Sequence, residues 1–324
     1  MSGSLRVGLV GAGGVGARHA ATLTELDDVR LVAVTDVDPE RARALGSEHG
    51  ARVHAGLGEL LDDERLDAVW LCLPPFAHGE PERLVLQAGL PFFVEKPLAV
   101  DLATAEAIGA AVEASGVPTA TGYHWRGMPG VERAAEVVAD LPVRLAVGTW
   151  LDKVPPVAWW SARSGSGGQL VEQATHLIDT MRALVGEPVT VSAHATRIEG
   201  RDPDLVDPAT AAVLSFDSGA VATLAATSLL RWKESAALVL VADGVVVEIG
   251  ETETVLRWVD RVERVRDDGV SKRRIDAEFC DAVRRGDPSV VRVPYAEALR
   301  THRVGCGLAE SAARGSSVDL RAGT

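Results

Sequence analysis

A glycine-rich turn near the amino terminus is the first of three groups of residues suited to chemistry. An apolar run, Leu5 to Val10, gives way to glycines whose spacing lets a chain turn tightly, bring its backbone against a phosphate and pack the next helix close to the strand. A helical pattern follows at once, so the turn predicts a dinucleotide pyrophosphate site rather than an empty turn between strand and helix. The expected contact residues are Gly11, Gly13, Gly14, Val15 and Gly16.

A carboxylate follows at the end of the next predicted strand, Val29 to Thr35. Asp36 comes twenty residues after Gly16, where an acidic side chain accepts hydrogen bonds from the adenosine ribose. A 2′-phosphate would meet a like charge there, and Arg41 lies too far along the next helix to offset it. We therefore expect NAD as the cofactor, in preference to NADP.

The second group surrounds a lysine in a chain whose basic residues are mostly arginine. Lys96 follows a predicted strand, Leu90 to Val94, within Glu95-Lys96-Pro97. Ligands of open parallel sheets bind beyond the carboxyl ends of the strands, where an ammonium group stabilises a developing alkoxide. The alternative is a solvated loop lysine. We expect Glu95 to orient Lys96 or the nearby backbone.

Two further residues, Pro74 and His78, follow another strand end and are expected beside the cofactor.

The third group lies on a predicted helix, Gln169 to Leu184. Glu172, His176 and Asp179 are spaced i, i+4 and i+7, which places them on one helix face. A carboxylate one turn from an imidazole raises the pKa of that imidazole, so His176 is a candidate general base, with a structural histidine as the alternative.

The elements that must position these groups change character along the chain. Strands and helices alternate without a break up to Gly122, which predicts a doubly wound parallel sheet. Beyond it, several strands follow one another with tight turns, which predicts an α+β domain on a mostly antiparallel sheet, closed by helices at 275–285 and 295–313. We therefore expect a nucleotide-binding domain over 1–122, and a substrate-binding and oligomerisation domain over 123–324.

Composition limits the classes of partner. The formal net charge of −13, without a basic stripe, argues against nucleic acid. Neither a secretory leader in MSGSLRVG nor a long apolar span is evident, so we expect a soluble, cytoplasmic protein that does not engage membranes. The three cysteines are scattered, which fits buried thiols better than disulfides or a metal site, and no metal is expected.

Four stretches together resemble the glucose-fructose oxidoreductase and inositol dehydrogenase family, Gfo/Idh/MocA. They are residues 11–16, Glu95-Lys96-Pro97, Gly122-Tyr123 and GGQLVEQATHLID at 167–179. The resemblance implies an NAD(P)-binding Rossmann domain, a second domain with a large open sheet, and oxidation or reduction of a sugar or cyclitol hydroxyl. It matches Lys96 and His176 to the family's lysine and helix histidine, whereas Glu172 stands where the family usually has aspartate.

The resemblance also implies a working arrangement. His176 takes the hydroxyl proton while Lys96 stabilises the oxygen, with the nicotinamide near Pro74 and Lys96. The side chains expected to contact substrate are Tyr123, His124, Trp125, Arg126, Trp160 and Asp179. Trp125, Trp150, Trp159 and Trp160 would either cover a sugar ring or pack.

Two alternatives use the same scaffold: a glycoside hydrolase that holds NAD and uses it transiently, and a non-catalytic sensor that keeps the nucleotide. Retention of both Lys96 and His176 speaks against the sensor. An open sheet with one uncovered apolar face commonly finds a partner, so we also expect a homodimer or homotetramer.

Overall fold

The first part of the chain alternates strand and helix, as predicted. In the computed structural model, which describes residues 4–323, six strands form one parallel sheet in the order β3-β2-β1-β4-β5-β6. The doubly wound sheet is thus confirmed. Its strands are β1 Leu5–Val10, β2 Val29–Thr35, β3 Arg52–Val53, β4 Ala68–Leu71, β5 Phe92–Val94 and β6 Thr119–Thr121.

Helices connect these strands and supply their cover. The helices are α1 Gly14–Thr24, α2 Pro39–His49, α3 Leu57–Asp63, α4 Glu80–Gln87 and α5 Leu102–Ser115. Because the strands are buried on both faces, their residues are almost continuously apolar, and β4 is buried along its whole length. The strand order reverses between β1 and β4, and a crevice for ligands is expected at the carboxyl ends of strands around such a point.

Nine strands form a second sheet in the order β14-β13-β12-β11-β7-β10-β9-β8-β15. Every pair is antiparallel except β7 and β10, which confirms the mostly antiparallel prediction. Its strands are β7 Leu145–Lys153, β8 Pro188–Ala195, β9 Ala209–Phe216, β10 Val221–Leu230, β11 Ser235–Ala242, β12 Val245–Gly250, β13 Glu253–Arg257, β14 Val262–Arg266 and β15 Val318–Asp319. The two outermost strands, β14 and β15, were not predicted.

Besides short 3₁₀ turns, the described residues contain six further α-helices. They are α6 Pro129–Ala139, α7 Arg163–Ser166, α8 Gln169–Glu172, α9 Thr175–Val185, α10 Val270–Arg285 and α11 Tyr295–Arg314. None of the helices within residues 4–323 has the length and apolar character needed to cross a bilayer. One buried apolar cluster joins α9 to alternate residues of the nine-stranded sheet, including Leu177, Leu224 and Leu238. That cluster fixes α9 against one face of the sheet.

The chain divides into two compact units that are not contiguous in sequence. The first comprises the described residues up to Ala99, Ala103–Tyr123 and Lys272–Leu299, and the second comprises Val100–Leu102, His124–Ser271 and the described residues from Arg300 onward. Residues 1–3, which include part of the segment used to predict the absence of a leader, and Thr324 lie outside the described residues.

Most of α10 therefore belongs to the first unit, and the prediction that this helix closes the second domain is wrong. Phe279 stacks edge-on against Trp70, with ring centroids 5.1 Å apart, and packs beside Phe93 at 6.1 Å. Since apolar periodicity fixes that a segment is helical but not which sheet its apolar face covers, the sequence pattern alone misassigned it.

Candidate active site

The glycine turn between β1 and α1 uses its glycines for two different purposes. A Cβ on Gly11, whose φ is +95°, would lie 2.3 Å from the carbonyl oxygen of Cys72, and a Cβ on Gly16 would lie 1.9 Å from that of Gly11. These two positions exclude any side chain. At Gly13 and Gly14, by contrast, no described atom lies within 4 Å of an added Cβ. The main chain there is open to a ligand.

Helix α1 begins at Gly14, directly at that open stretch. The first amide groups of a helix have no acceptor within the helix and lie at the positive end of its dipole, so they favour an anion. Backbone access and unsatisfied donors at one place fit the pyrophosphate of a dinucleotide. Val15, in the first turn, is 39% exposed, which keeps this end of the helix accessible.

Asp36 lies at the carboxyl end of β2, where its carboxylate holds the glycine turn. Its Oδ2 accepts a hydrogen bond of 2.6 Å from the amide of Ala12, and its Oδ1 accepts one of 2.7 Å from the amide of Asp38. A carboxylate has about four acceptor sites, so lone pairs remain for a ribose. The predicted ribose contact is therefore compatible with this position.

Pro74 and His78 flank a 3₁₀ turn, Pro75–Ala77, that follows β4. The His78 ring is buried, with Nδ1 2.5 Å from Oε1 of Glu82, while Oε2 of Glu82 accepts the amide of Gly79 at 2.6 Å. These contacts fix the ring at the strand end. The cofactor role of Pro74 and His78 stays a prediction.

Glu95 lies in a buried ionic network that includes two residues missed by the sequence analysis. The His19 ring bridges Glu95 and Asp276: Nε2 is 2.9 Å from Oε1 of Glu95, and Nδ1 is 2.7 Å from Oδ1 of Asp276. Trp70 donates its indole N–H to the same Asp276 oxygen at 2.9 Å, and Arg18 approaches Glu95 at 3.6 Å. His19 shares the buried face of α1 with Gly16, Ala20 and Leu23, a spacing that marks it as a core-facing polar residue.

The network holds His19 and Glu95 in their charged forms. Burial disfavours a charge on His19, but the charges of Asp276 and Glu95 and the hydrogen bonds to them prevail and raise the His19 pKa from 6.5 to about 9. Burial would likewise raise the pKa of Glu95, yet the hydrogen bond from His19 and the positive charges of His19, Arg18 and Lys96 lower it to about 2.

Lys96 lies two residues beyond the end of β5, and the side chain of the preceding residue holds its main chain. Its amide donates to Oε2 of Glu95 at 3.1 Å, and the Lys96-Pro97 peptide bond is cis. A Cβ on Gly122 would lie 2.6 Å from the Glu95 carboxyl group, so glycine is required there. Tyr123, predicted to contact substrate, is fully buried in an apolar cluster of the first unit.

In the second unit, aromatic rings surround His176, which lies near the start of α9. Its ring is nearly parallel to those of Trp125 and Trp150, with both centroids 6.1 Å away, and edge-on to His124 at 4.9 Å. Lys233 Nζ lies 4.4 Å from the centre of the Trp150 ring. The structure thus brings together three predicted site residues, His124, Trp125 and His176.

The predicted single helix over Gln169 to Leu184 is wrong, because it breaks after Glu172. Residues 169–172 form α8 and α9 begins at Thr175; between them the amide of Ala174 bonds back to the carbonyl of Gln169. The i, i+4 relation therefore does not place Glu172 and His176 on one helix face. Glu172 Oε2 instead accepts the indole N–H of Trp160, which is 1% exposed, at 2.7 Å.

Asp179 and Arg126, both predicted to bind substrate, pair with each other. Arg126 donates from Nε to Oδ2 at 2.7 Å and from Nη2 to Oδ1 at 2.9 Å, and Asp179 is fully buried. Thr301 also donates to Asp179 at 2.9 Å. Two parallel bonds from a guanidinium to a carboxylate fix both groups, so this pair stiffens the wall beside Trp125.

One group in the described residues has metal-ligand spacing: His54, Glu59 and Asp63, whose ligand atoms lie within 4.8 Å of one another. Both carboxylates are exposed, and exposed acidic groups with this spacing are common without an ion. We assign no metal to it, and it shares no residue with the predicted site.

Comparison with known proteins gives matches along most of the chain. The family model described as "Oxidoreductase family, NAD-binding Rossmann fold" matches residues 5–123, and the one described as "GFO/IDH/MocA C-terminal domain" matches residues 142–247. The first part of the chain is thus an NAD-binding Rossmann domain, as predicted.

Individual relatives act on different sugars and polyols. A myo-inositol dehydrogenase of Streptomyces leeuwenhoekii is 34% identical over 237 residues, which cover 71% of this chain and 70% of that protein. A D-xylose 1-dehydrogenase (NADP(+)) of Haloferax volcanii is 29% identical over 227 residues, covering 66% of this chain and 67% of that protein. Among solved structures, levoglucosan dehydrogenase in complex with NADH and levoglucosan has the same fold, with a TM-score of 0.88, 22% identity and coverage of 98% and 99% of the two chains.

Proposed function

Because the chain belongs to the Gfo/Idh/MocA oxidoreductase family, we propose that it transfers a hydride between NAD and a hydroxyl or keto carbon of a sugar, sugar derivative or cyclitol. The observation that carries the proposal is the position of Lys96. Its main chain is fixed at the carboxyl end of β5, the same edge of the parallel sheet at which the glycine turn leaves β1. An ammonium group at that edge is suited to a substrate oxygen.

The nucleotide would be held by the first unit. The open backbone at Gly13 and Gly14 and the amides of α1 bind the pyrophosphate, and Asp36 accepts from the adenosine ribose. Pro74 and His78 would hold the nicotinamide ring, which when bound would supply the carbon that gains or loses the hydride. The negative charge of Asp36 supports NAD over NADP, although a relative uses NADP(+).

Two side chains would act on the reacting group of the substrate. Lys96 donates a hydrogen bond to the reacting oxygen, and His176 takes the hydroxyl proton during oxidation. His124 and Trp125, whose rings lie beside that of His176, would shape the substrate side, and the Arg126–Asp179 pair would stiffen it. Glu172 would act there only through Trp160, whose indole it holds. The indole Nε1 atoms of Trp125 and Trp150 are buried beside His176 and have no hydrogen-bond partner among residues 4–323, so they are suitable donors for further hydroxyls.

A substrate panel with a Lys96 variant tests the proposal. Purified protein is assayed with inositols, aldoses and glycosides in the presence of NAD, with NADH absorbance and product analysis as readouts. For the active compound, Lys96→Met should lower kcat by roughly a hundredfold or more, since one oxyanion donor is lost. The Kd for NAD should stay within about threefold of wild type, because the ammonium group is assigned to the substrate.

Lys153→Met is the matched control, since Lys153 lies exposed at the end of β7 and should keep full turnover. Unchanged turnover in Lys96→Met would remove Lys96 from the mechanism. Release of sugar from a glycoside without net NADH would instead indicate the hydrolase, and binding of NAD with no reaction on any class would indicate the sensor.

A further inference from the structure

Behind Lys96, a line of buried charged side chains crosses the first unit, and the proposed proton and hydride steps leave most of it unused. It runs from Asp276 on α10, through His19 on α1, to Glu95 at the end of β5, each contact being within 3.0 Å. Side-chain exposure is 1% for Asp276, 2% for His19 and 8% for Glu95. Taking three ionisable groups out of water is costly unless each is paired, and here each one is.

The line ends on the main chain of the proposed catalytic lysine. Glu95 uses Oε1 for His19 and Oε2 for the amide of Lys96, so the two oxygens connect α1 to the residue that carries the ammonium group. The Glu95 carboxyl group occupies the place that a Cβ on Gly122 would take, so the glycine leaves room for this side chain. The other end of the line is anchored by the indole N–H of Trp70 on Asp276.

We propose that His19, by bridging Asp276 and Glu95, is a positioning residue that fixes the main chain at Lys96 relative to helix α1. This inference rests on the proposed role of Lys96. His19 would thus link two parts of the proposed site. It belongs to helix α1, whose first turn would bind the pyrophosphate, and through Glu95 it holds the main chain of Lys96, which would bind the substrate. A misplacement of about 1 Å at a reacting group can cost a hundredfold in rate, so such a connection has a kinetic consequence.

The charged partners of His19 are Asp276 on α10 and Glu95 after β5. Cys280 on α10 and Cys72 after β4 lie in the field of these carboxylates, and Arg18 on α1 acts on Glu95. Burial and the neighbouring carboxylates raise the pKa values of both thiols, which therefore stay neutral. His19 is charged below pH 9 or so and Glu95 above pH 2 or so, so both stay charged between these values.

His19→Gln tests the proposal, with His54→Gln as the matched control. Both replace a buried imidazole of the first unit, but His54 lies next to β3 near Glu59, Asp63 and Glu64. His19→Gln should lower kcat by about tenfold or more while the Kd for NAD stays within about threefold, and His54→Gln should change neither beyond twofold or so.

The pH profile separates positioning from a merely structural effect. Loss of His19 removes the hydrogen bond and charge that lower the pKa of Glu95, while burial, which raises it, remains. Glu95 in His19→Gln should therefore take up a proton at a higher pH than in wild type. On the acid side, kcat of His19→Gln should fall more steeply than that of wild type, because Glu95 as well as the base His176 then takes up a proton. The profile of His54→Gln should match wild type.

A readout that needs no activity keeps this inference separate from the proposed function. Hydrogen exchange followed by mass spectrometry reports on the segment 92–100, whose Lys96 amide bonds to Glu95. Loss of the bridge should lower the unfolding temperature, so exchange at 92–100 is compared with exchange in the other segments of the first unit. It should rise more than theirs in His19→Gln but not in His54→Gln. If His19→Gln does not fold, Asp276→Asn, which keeps the shape of the side chain but removes its charge, should show the same change in milder form.

Wild-type exchange at 92–100 together with a wild-type kcat and acid limb in the folded variant would overturn the positioning role, as would an equal effect in His54→Gln. If no compound is turned over by the wild type, the proposed function fails, and faster exchange in His19→Gln would then show only that the bridge holds this segment.

Discussion

We expect Asp36 to set the preference of the glycine turn for NAD over NADP. Asp36→Asn keeps an oxygen for the amide of Ala12 but removes the charge that would repel a 2′-phosphate. We expect the KM for NAD to rise, since a charged acceptor binds a ribose hydroxyl more strongly than an amide does, and the ratio of kcat/KM for NADP to that for NAD to increase by about tenfold. Steady-state kinetics with both nucleotides measure this.

Asp38→Asn is the control, because Asp38 caps α2 by accepting from Glu40 and lies two residues from Asp36. It should reduce stability slightly without changing the preference between nucleotides. An equal change of KM for NAD and NADP in Asp36→Asn would contradict the ribose role.

Individual site residues differ in how far the sequence alone can reveal them. Lys96 and Asp36 stand directly after predicted strands, and because parallel strands end at one edge of a sheet, their chain position already indicates their place. The bridge between His19 and Asp276 joins residues 257 positions apart, and no local pattern predicts such a contact. The sequence indicates only that His19 lies on the same face of α1 as Gly16, Ala20 and Leu23, the face that is buried.

At the scale of elements, we expect alanine substitutions at two glycines of the turn from β1 to α1 to have opposite effects. One should weaken NAD binding, and the other should lower stability. Gly13→Ala meets no described atom within 4 Å and needs no unusual backbone angle, so the unfolding temperature should stay within a few degrees of wild type. The added methyl group would occupy the side open to the pyrophosphate, and the Kd for NAD should rise by about tenfold or more.

Gly16→Ala should mainly lower the stability of the protein. Its Cβ would lie 1.9 Å from the carbonyl oxygen of Gly11, so strand and helix must separate, and the unfolding temperature should fall by roughly ten degrees. Thermal unfolding without ligand and calorimetric titration with NAD measure both variants. Equal loss of stability in the two variants would show that Gly13 serves packing rather than ligand access.

Helices and strands were predictable where a local signal marks their ends. Strand β2 has the predicted bounds, and helix α2 has a local signal at each end, since Asp38 caps its start and Gly50, at a φ of +67°, ends it. The break between α8 and α9 has no such signal, because residues 169–184 contain neither glycine nor proline. There the bond from Trp160 to Glu172 and the bond from Gln169 to Gln173 accompany the break.

At the scale of the whole molecule, the two units were predicted but their membership was not. The predicted change after Gly122 lies within one residue of the end of a first-unit segment at Tyr123, since the alternation of strand and helix stops there. The return of residues 272–299 to the first unit depends on contacts of Phe279 and Asp276 with residues far away in sequence. The boundary over 1–122 and 123–324 therefore describes the chain only up to α10.

The nine-stranded sheet carries the last prediction, that copies of this chain associate. One face packs on α9, whereas on the other face a row runs across four neighbouring strands through Val213, Thr223, Val147 and Val239. Val213 is 51% exposed and Thr223 is exposed, so this row is a mostly apolar surface to which an identical face could bind.

We expect light scattering of the wild type at low concentration to give a dimer or tetramer mass. Val213→Arg should shift it toward the monomer, because a charge would be buried unpaired, whereas Val259→Arg, at a fully exposed position, should not. A monomer mass for the wild type would contradict the prediction.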